Sequence, residues 1–528
     1  MSDDNGVPAG VNDWSLASLL RRSASLFAAD TAVVWPGGEL SYQQLNEHAN
    51  GFAHGLVALG LHRGDRLAVV SENRVEYIVA YLGSAKLGVT VVGVNIRWHP
   101  EEALRSLTDT DPKALLISRA YDPLLQQLRG ILPRDLHIIH LDAPEGERPQ
   151  GDVDYAAMMA AADAGEPDWP ISGSDIHNIL YTSGTTGFPK GAMISQRAAA
   201  FRALGIAQWF SLCEQDGYVG WLPLYHVAGD ESLYATLLSG GRYAVLPGSD
   251  PEPMYRMIDR HRLTWTILVP GTVTAFARHR ARPSYDLSSM RFAAGYGDLL
   301  TTAVLQEFSD TVGIPYYDAY GLTETSYLVA WHNTPRGTLP SLRKRPAPLL
   351  TLRVVDQEMR DVPEGTVGEL VARGPTLMSG YWRNAQATAD VFRGGWPHTG
   401  DLLRKNEDGT LTFADRGKAL IKTGGENVYP AEVERVLAAL PGVLEVCVVG
   451  VPDPEWGERV HAVIVLEHGA ALSYEDVEAA SLSHLARYKR PRGVTFLRET
   501  ALPRSTTGKV QRDAVRDEVL RAEEARHD

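Results

Sequence analysis

Apolar residues in the first part of the chain recur at two spacings, one typical of helices and one typical of buried strands. Between Ser41, a predicted N-cap, and Gly60, apolar residues keep to one helical face, which predicts an amphipathic helix. A short apolar run, Arg66–Val70, predicts a buried strand. A helical pattern over Tyr77–Leu87 and a second strand-like run, Val89–Val94, follow. This alternation of strands and helices predicts an α/β fold with parallel sheets.

The residues after Lys418 change in pattern and predict a second, smaller folding unit. They contain a predicted helix, two strands and a helix that starts with a capping box, at Ala431–Leu440, Val443–Val449, Val460–Leu466 and Ser473-x-x-Asp476. About 110 residues is an ordinary size for a small α+β domain. We therefore expect a large N-terminal domain over residues 1–416 and a small C-terminal domain over residues 417–528. The polar stretch Asp142–Ser174 is expected to be a surface connection within the large domain.

Charge and composition exclude several classes of protein. The chain has 528 residues with 51 Lys and Arg against 65 Asp and Glu, a net charge of −14, and no basic run. Nucleic acid and anionic membranes are therefore not expected as partners. No apolar run reaches the length of about 18 residues that a membrane-spanning helix needs, and the acidic N-terminus does not resemble a secretory signal. Cys213 and Cys447 stand far apart, which excludes a disulfide framework. We expect a cytoplasmic location.

A stretch rich in glycine and hydroxyl groups, Tyr181-Thr-Ser-Gly-Thr-Thr-Gly-Phe-Pro-Lys190-Gly191, carries the strongest chemical signal. Such a loop offers backbone N–H groups and hydroxyl donors, and its glycines let a polyphosphate approach closely. Lys190 adds a positive charge for the β- or γ-phosphate. The order differs from the Walker pattern, in which serine or threonine follows the lysine. The candidate phosphate-binding residues are Thr182, Ser183, Gly184, Thr185, Thr186, Gly187 and Lys190.

The same loop resembles the signature of the adenylate-forming superfamily, which includes acyl-CoA synthetases, peptide-synthetase adenylation domains and beetle luciferases. Further segments match motifs of that family in the family's order, so that the resemblance covers roughly residues 15–525. They are Leu222-Pro-Leu-Tyr-His226, Tyr320-Gly-Leu-Thr-Glu324, Gly395–Asp401, Asp415–Lys418, Lys422–Glu434 and Pro503–Lys509. The resemblance implies a large N-terminal domain of α/β subdomains with a β-barrel-like part, and a small mobile C-terminal domain.

In the chemistry that this family performs, a carboxylate attacks the α-phosphorus of ATP. Mg²⁺ and a lysine must offset the repulsion between these two anions. The resemblance implies Lys509 as that catalytic lysine, Glu324 and Thr186 as ligands of Mg²⁺, and Thr323 as a contact of the α-phosphate. It also implies ATP or AMP contacts for Gly297, Asp298, Tyr320, Gly321, Asp401 and Arg416, with Tyr320 stacked on the adenine and Asp401 and Arg416 on the ribose.

Transfer of the acyl group to the thiol of coenzyme A requires a passage that opens after adenylate formation. The resemblance implies rotation of the small domain about Lys418 and contacts of coenzyme A with Gly424, Gly425 and Glu426. Glycines suit a narrow passage because a Cβ would obstruct it, although Gly424-Gly425 is also compatible with a simple tight turn. The expected co-substrates are a carboxylic acid, ATP with Mg²⁺, and coenzyme A, and a homodimer is compatible with the sequence.

The identity of the acid depends on the acyl pocket, for which the candidate residues are His226, Val227, Asp230, Tyr296 and Gly321. Tyr296 stands where the family often has a second glycine, and would narrow the pocket. If Asp230 or Glu231 faced the pocket, a long alkyl chain would leave a buried carboxylate without a partner, which is costly. We therefore expect a medium-sized, cyclic or oxygen-bearing acid. The alternative is that both carboxylates point to solvent. Lys344 also departs from the family, since a glycine is expected there.

Other functions on the same scaffold remain open from the sequence. A free-standing enzyme that loads the acyl group onto a carrier protein would keep the same motifs. A peptide-synthetase adenylation domain would need an aspartate anchor for the substrate amine near His226, where Tyr225-His226-Val227 stands. A luciferase-like oxygenase is a rarer outcome. A non-catalytic nucleotide-binding protein is disfavoured because Lys509, Glu324 and the phosphate loop are all retained.

Overall fold

The computed structural model describes residues 14–527 except 99, 143–151, 183–188, 297–299, 301, 417–418, 420, 424–425, 454–456, 486, 499–501 and 505–509. The helices are α1 Leu16–Leu26, α2 Tyr42–Ala58, α3 Val75–Leu87, α4 Pro100–Thr110, α5 Asp122–Leu128, α6 Tyr155–Ala161, α7 Gln196–Phe210, α8 Val227–Leu238, α9 Pro251–His261, α10 Pro270–Arg278, α11 Thr302–Val312, α12 Ala385–Val391, α13 Pro430–Ala438, α14 Tyr474–His484 and α15 Arg512–His527.

The strands of the large N-terminal part alternate with these helices over most of its length. They are β1 Thr31–Trp35, β2 Gly38–Ser41, β3 Arg66–Val70, β4 Thr90–Gly93, β5 Ala114–Ile117, β6 His137–His140, β7 Val153–Asp154, β8 Ile176–Thr182, β9 Lys190–Ser195, β10 Gly217–Gly220, β11 Arg242–Val245, β12 Trp265–Ile267, β13 Phe292–Gly295, β14 Tyr316–Leu322, β15 Ser326–Trp331, β16 Arg343–Pro346, β17 Thr351–Val355, β18 Val367–Arg373, β19 Gly380–Tyr381, β20 His398–Lys405 and β21 Leu411–Arg416. Those of the C-terminal part are β22 Ile421–Thr423, β23 Glu426–Val428, β24 Val443–Asp453, β25 Gly457–Leu466 and β26 Gly493–Arg498.

Two sheets organise the large part of the chain, counted over the described residues. One has 8 strands in the order β19-β9-β8-β4-β3-β5-β6-β7 and is parallel from β8 to β7. The other has 13 strands in the order β17-β18-β20-β21-β16-β15-β14-β13-β12-β10-β11-β1-β2. It is parallel from β14 to β1, and the strands from β15 to β17 continue it as antiparallel neighbours. These strands form an antiparallel extension of the sheet, and the expected barrel-like part stays a prediction.

Local signals in the sequence place the first elements where they were expected. The Ser41 hydroxyl accepts a hydrogen bond from the Gln44 N–H and the Gln44 side chain returns one to the Ser41 N–H, so that a capping box starts α2. Gly60 follows the end of α2 with a φ of 82°, a left-handed conformation that glycine adopts without a steric penalty. The predicted strand Arg66–Val70 is β3, and α3 begins two residues before the predicted Tyr77.

The stretch Asp142–Ser174, expected to be a surface connection, contains regular structure in its described residues 153–161, which form β7 and α6. Helix α6 packs on α2 because α2 carries small residues on the facing side. A Cβ placed on Gly55 would lie 2.9 Å from the Met158 side chain, and one on Gly51 would lie 3.3 Å from Met159. The apolar contact of two methionines with these glycines could not be predicted from local spacing.

Strands β22 to β26 form a separate five-stranded sheet in the C-terminal part of the described chain, accompanied by α13, α14 and α15. The capping box Ser473-x-x-Asp476 is confirmed, with both reciprocal hydrogen bonds present at the start of α14. The two predicted strands are β24 and β25, each longer than expected. The expected α/β class is confirmed, with a large part containing mixed sheets and a small C-terminal part. The exact boundary at residue 416 stays a prediction.

None of the helices in the described ranges combines the length and the apolar character needed to cross a bilayer.

Candidate active site

The hairpin formed by β14 and β15 carries the predicted segment Tyr320-Gly-Leu-Thr-Glu324. Its two strands approach so closely that a Cβ on Gly321 would lie 2.4 Å from the Ser326 carbonyl oxygen, which excludes any other residue at position 321 without a shift of the backbone. The strand register shifts between Tyr320 and Gly321 at the same point. The turn beyond it presents Thr323 and Glu324, both partly exposed.

Two residues predicted to contact the nucleotide meet beside this hairpin. The Tyr320 hydroxyl donates a hydrogen bond to the carboxylate of Asp401, which is buried in β20. Asp401 in turn pairs across β20 and β21 with the backbone of Arg416. The tyrosine predicted for the adenine and the two residues predicted for the ribose therefore lie together, although about 80 residues separate Tyr320 from Asp401.

A second group joins the phosphate loop to the turn. Thr182 and Lys190 face each other across β8 and β9, on either side of the loop between them. The Lys190 ammonium lies 5.2 Å from the centre of the Tyr381 ring, and the Tyr381 hydroxyl donates to Glu324 Oε1 at 2.7 Å. Burial and the neighbouring Glu324 carboxylate raise the pKa of Tyr381 well above its usual value, so that it remains a donor at neutral pH. Tyr381 thus links a candidate phosphate-binding cation to a candidate metal-binding carboxylate.

Tyr381 was not among the residues predicted from the sequence. It lies in β19, a two-residue strand that pairs with β9 at Ala192, almost two hundred positions earlier in the chain. No periodic pattern marks such a short strand. The signal that could have found it is the aromatic pair Tyr381-Trp382 directly after Gly380.

Tyr381→Phe is expected to lower the rate of adenylate formation about tenfold, because it removes a hydrogen bond that holds the Glu324 carboxylate. The effect should be largest at low Mg²⁺ concentration. Pyrophosphate exchange measured over a Mg²⁺ titration checks this, with Tyr474→Phe as the control, since Tyr474 is 43% exposed. A rate equal to that of Tyr474→Phe at every Mg²⁺ concentration would contradict a role for Tyr381 at Glu324.

The described residues contain no group of three or more His, Cys, Asp or Glu side chains that could hold a metal ion by themselves. Glu324 is partly exposed and uses one carboxylate oxygen for Tyr381, which leaves the other oxygen for a cation. Mg²⁺ typically takes only one or two protein carboxylates and completes its shell with phosphate oxygens and water. The arrangement around Glu324 fits that kind of site, and does not fit a metal held by protein ligands alone.

His226 caps the N-terminus of α8, where its Nδ1 accepts a hydrogen bond from the Ala228 N–H at 3.2 Å. Burial lowers the pKa of His226 to about 4. The imidazole is therefore neutral near pH 7, and its second nitrogen carries the proton. This places a neutral donor at the start of a helix that is buried over nearly all of its length, including Val227.

Asp230 and Glu231 are both about 3% exposed, so the alternative that they point to solvent is wrong. Asp230 Oδ2 accepts a hydrogen bond from Asn178 in β8 at 2.6 Å. Glu231 pairs with the buried Arg202 of α7, whose Nη1 lies 3.0 Å from Glu231 Oε1. Burial raises the pKa of both carboxyl groups, and for Asp230 the neighbouring Glu231 raises it further. Each carboxyl group thus has a protein partner, and the assignment of Asp230 to the acyl pocket stays a prediction.

An apolar cavity opens beside the turn, between α7, the start of β15 and residues 347–350. It shares Arg202, Ser326 and Thr376 with the surroundings of the turn. Apolar and aromatic side chains predominate in the rest of its lining, which comprises Gly205, Ile206, Trp209, Phe210, Tyr327, Val329, Ala330, Ala347, Pro348, Leu349 and Leu350. Tyr296 lies close enough to Tyr327 to raise its pKa, after the larger effect of burial. The predicted pocket residue Tyr296 is thus a neighbour of one lining residue, Tyr327, and its place in an acyl pocket stays a prediction.

Lys344, which stands where a glycine was expected, is completely buried. Its ammonium lies 2.6 Å from Asp318 Oδ2, and Asp318 is equally inaccessible. Lys344 also donates to the Leu342 carbonyl oxygen at 3.1 Å. The positive charge of Lys344, at the position where a glycine was expected, is therefore balanced by the Asp318 carboxylate on β14.

Several predicted site residues lie outside the described residues. They are Ser183, Gly184, Thr185, Thr186, Gly187, Gly297, Asp298, Lys418, Gly424, Gly425 and Lys509, together with the side chains of Arg416 and Glu426. Described contacts hold the chain on both sides of the segment that carries Lys509. Arg504 and Val510 form a bridge, the Gln511 N–H donates to the Pro503 carbonyl oxygen at 2.8 Å, and Arg512 pairs with Glu434 at the C-terminal end of the segment.

Known proteins resemble this chain over nearly its whole length. The family model for AMP-binding enzymes matches residues 20–382, and the model for the C-terminal domain of these enzymes matches residues 432–509. An indoleacetate–CoA ligase of Aromatoleum aromaticum is 34% identical over 513 residues, which cover 96% of this chain and 98% of the relative. A feruloyl-CoA synthase of an Amycolatopsis species is 31% identical over 510 residues, with the same coverage of 96% and 98%.

The similarity extends to the fold. The structure of ATP-bound MatB from Rhodopseudomonas palustris superposes with a TM-score of 0.85 at 30% identity, and the match covers 95% of this chain and 98% of MatB. Sequence and fold thus agree over both the large and the small part of the chain, which confirms the resemblance inferred from the motifs. The chain belongs to the AMP-binding enzymes, within the family of AMP-forming acid–CoA ligases.

Proposed function

We propose that this enzyme uses ATP and Mg²⁺ to convert a medium-sized cyclic carboxylic acid into its acyl-adenylate, with release of pyrophosphate. It then transfers the acyl group to the thiol of coenzyme A and releases AMP. The observation that carries the proposal is the convergence of Lys190, Tyr381 and Glu324 beside the turn of β14 and β15, next to the Tyr320–Asp401 contact. This arrangement combines groups suited to phosphates and a divalent cation with groups suited to a nucleoside.

Each described residue would have a defined task in the first half-reaction. Tyr320 and Asp401 would hold the adenosine, and Thr323 would donate its hydroxyl to the α-phosphate. Lys190 would neutralise charge on the phosphates that leave as pyrophosphate. Glu324 would hold Mg²⁺, which supplies positive charge where two anions approach each other. Lys509 is proposed to bridge the acid's carboxylate and the α-phosphate.

The aromatic lining of the cavity favours a cyclic acid, but its free volume here is only about 20 Å³, so the cavity must widen to admit a ring. Trp209, Phe210 and Tyr327 present aromatic surface to the space next to Ser326, and such surfaces favour flat ring systems. Both oxygens of Glu231 are paired within the protein, and Asp230 Oδ2 is bound to Asn178, whereas Asp230 Oδ1 is buried without a hydrogen-bond partner among the described residues. Glu231 therefore gives no argument for oxygen atoms on the substrate. Acids named for two relatives, indoleacetate and ferulate, both contain aromatic rings.

The decisive experiment is mass spectrometry of the products formed from ATP, Mg²⁺, coenzyme A and a mixed pool of carboxylic acids. The pool should contain arylacetic, hydroxycinnamic, alicyclic, short-chain and long-chain saturated acids. We expect acyl-CoA and an equal amount of AMP, with ring-containing acids converted first. AMP or acyl-adenylate without acyl-CoA would indicate a carrier protein or another acceptor in place of coenzyme A. Conversion of palmitate alone would contradict the proposed acid class.

Filling the cavity should change the substrate preference. Gly205 lines the cavity from α7, and a Cβ there would meet only Leu349, at 3.4 Å. Gly205→Leu is therefore expected to raise KM for ring-containing acids about tenfold while leaving KM for a three-carbon acid nearly unchanged. Steady-state kinetics with both acids checks this, with Gly130→Leu as the control because a Cβ at Gly130 meets no atom within 4 Å. Equal changes for both acids would show that the cavity does not bind the acyl group.

A further inference from the structure

Each backbone carbonyl oxygen of the turn between β14 and β15 accepts a hydrogen bond from a residue outside the hairpin. The Thr323 carbonyl oxygen accepts from Arg202 at 3.1 Å, and the Glu324 carbonyl oxygen accepts from the Met378 N–H at 2.8 Å. The Thr325 carbonyl oxygen accepts from the Thr376 hydroxyl at 2.8 Å. Three successive peptide groups of the turn are therefore held by groups distant in sequence.

Arg202 connects these contacts through the three arms of its guanidinium group. Its Nε donates to the Thr376 carbonyl oxygen at 2.7 Å, its Nη2 donates to Thr323, and its Nη1 donates to Glu231 at 3.0 Å. The side chain is almost completely buried. A guanidinium group can satisfy three fixed acceptors in one plane, whereas a lysine ammonium cannot reproduce that geometry.

Glu231 holds the other end of the turn. Its Oε2 accepts from the Ser326 hydroxyl at 2.7 Å. Ser326 has a φ of 69°, a left-handed conformation that is strained for a residue with a side chain. The serine at this position is thus fixed by a buried carboxylate whose remaining oxygen is bound to Arg202. Such a conformation persists where the surrounding structure enforces it.

We propose that the buried Arg202–Glu231 pair is a positioning device for adenylate formation, which holds the turn so that Thr323 and Glu324 face the α-phosphate and its cation. The inference rests on the proposed function, because it assigns a purpose to the turn that carries these two residues. Neither Arg202 nor Glu231 is proposed to touch the reacting atoms. They act through the backbone of Thr323 and the side chain of Ser326.

The test compares two changes of the pair. Arg202→Lys keeps the buried positive charge but loses the fork of donors. Arg202→Met combined with Glu231→Leu removes both charges together, and replacement of a whole buried pair by apolar residues is often tolerated by the fold. For both, kcat of pyrophosphate exchange should fall about 10- to 100-fold, since small displacements of catalytic groups have effects of that size. KM for ATP should stay within about twofold.

Two further readouts separate positioning from general damage. Thiol transfer from a supplied acyl-adenylate should proceed at the unmodified rate, and amide hydrogen exchange should become faster in the peptide that covers residues 320–328. The matched control is Lys86→Met combined with Glu166→Leu, a pair at 2.6 Å in which Lys86 is 3% exposed. This control should leave pyrophosphate exchange and the exchange of peptide 320–328 unchanged.

Wild-type rates of pyrophosphate exchange in both Arg202 variants would overturn the inference, and so would unchanged hydrogen exchange in peptide 320–328. A uniform loss of adenylation and thiol transfer would also overturn it, because it would indicate a purely structural role. If the unmodified enzyme itself showed no pyrophosphate exchange with any acid, the proposed function would fail. The hydrogen-exchange comparison would then still decide whether the pair holds the turn.

Discussion

Lys509→Ala is expected to slow adenylate formation by about 10²–10³-fold while thiol transfer from a supplied acyl-adenylate stays near the unmodified rate. The ammonium group is needed where a carboxylate and the α-phosphate approach each other, and this repulsion is absent from the second half-reaction. Pyrophosphate exchange measures the first step, and the release of AMP from a supplied adenylate in the presence of coenzyme A measures the second.

The control for this prediction is a lysine of the large domain. Lys113→Ala removes a side chain that is 51% exposed and paired with Asp65 at the surface, and should leave both half-reactions unchanged. Equal losses in both half-reactions of Lys509→Ala would contradict a scheme in which the small domain presents Lys509 for the first step only.

Glu324→Gln is expected to lower the rate of adenylate formation about 100-fold at low Mg²⁺ concentration, with partial recovery as Mg²⁺ is raised. Glutamine keeps the size of the side chain and can still accept the hydrogen bond from Tyr381, whose hydroxyl lies 2.7 Å from Oε1. What it loses is the negative charge that attracts the cation. A Mg²⁺ titration of pyrophosphate exchange measures both the maximal rate and the concentration of half-saturation.

Glu358→Gln serves as the matched change, since the Glu358 side chain is 63% exposed. It should show the Mg²⁺ dependence of the unmodified enzyme. A loss in Glu324→Gln that is the same at every Mg²⁺ concentration would argue against a cation at Glu324. Tyr381→Phe and Glu324→Gln form a graded series on the Glu324 carboxylate. The first removes a supporting hydrogen bond, and the second removes the negative charge.

Segments with strong local signals were predicted well from the sequence. The N-caps Ser41 and Ser473 begin helices at the expected positions, because their hydrogen bonds reach only three residues along the chain. Gly321 illustrates a motif residue whose need is explained by the fold, since the facing strand leaves no space for a Cβ. The sequence indicated that this glycine mattered, and the hairpin supplied the steric reason.

Predictions that depended on the direction of a single side chain could not be settled in the same way. Asp230 and Glu231 were equally compatible with a pocket and with solvent. The structure instead directs them to Asn178 and Arg202. Periodicity identifies the buried face of a helix when the other face is exposed, but α8 is buried on all sides, so its pattern contains no such contrast.

The sequence by itself determined several elements near the N-terminus and in the C-terminal part, the α/β class and the family, because caps, turn glycines and motif spacing are local properties. Only the tertiary structure decided that Tyr381 reaches Glu324 and that Arg202 reaches the carbonyl group of Thr323. These contacts join segments separated by 57 and 121 positions. The physical reason is that a buried polar group takes its partner from whichever element packs against it, and that packing is set by the whole arrangement of sheets and helices.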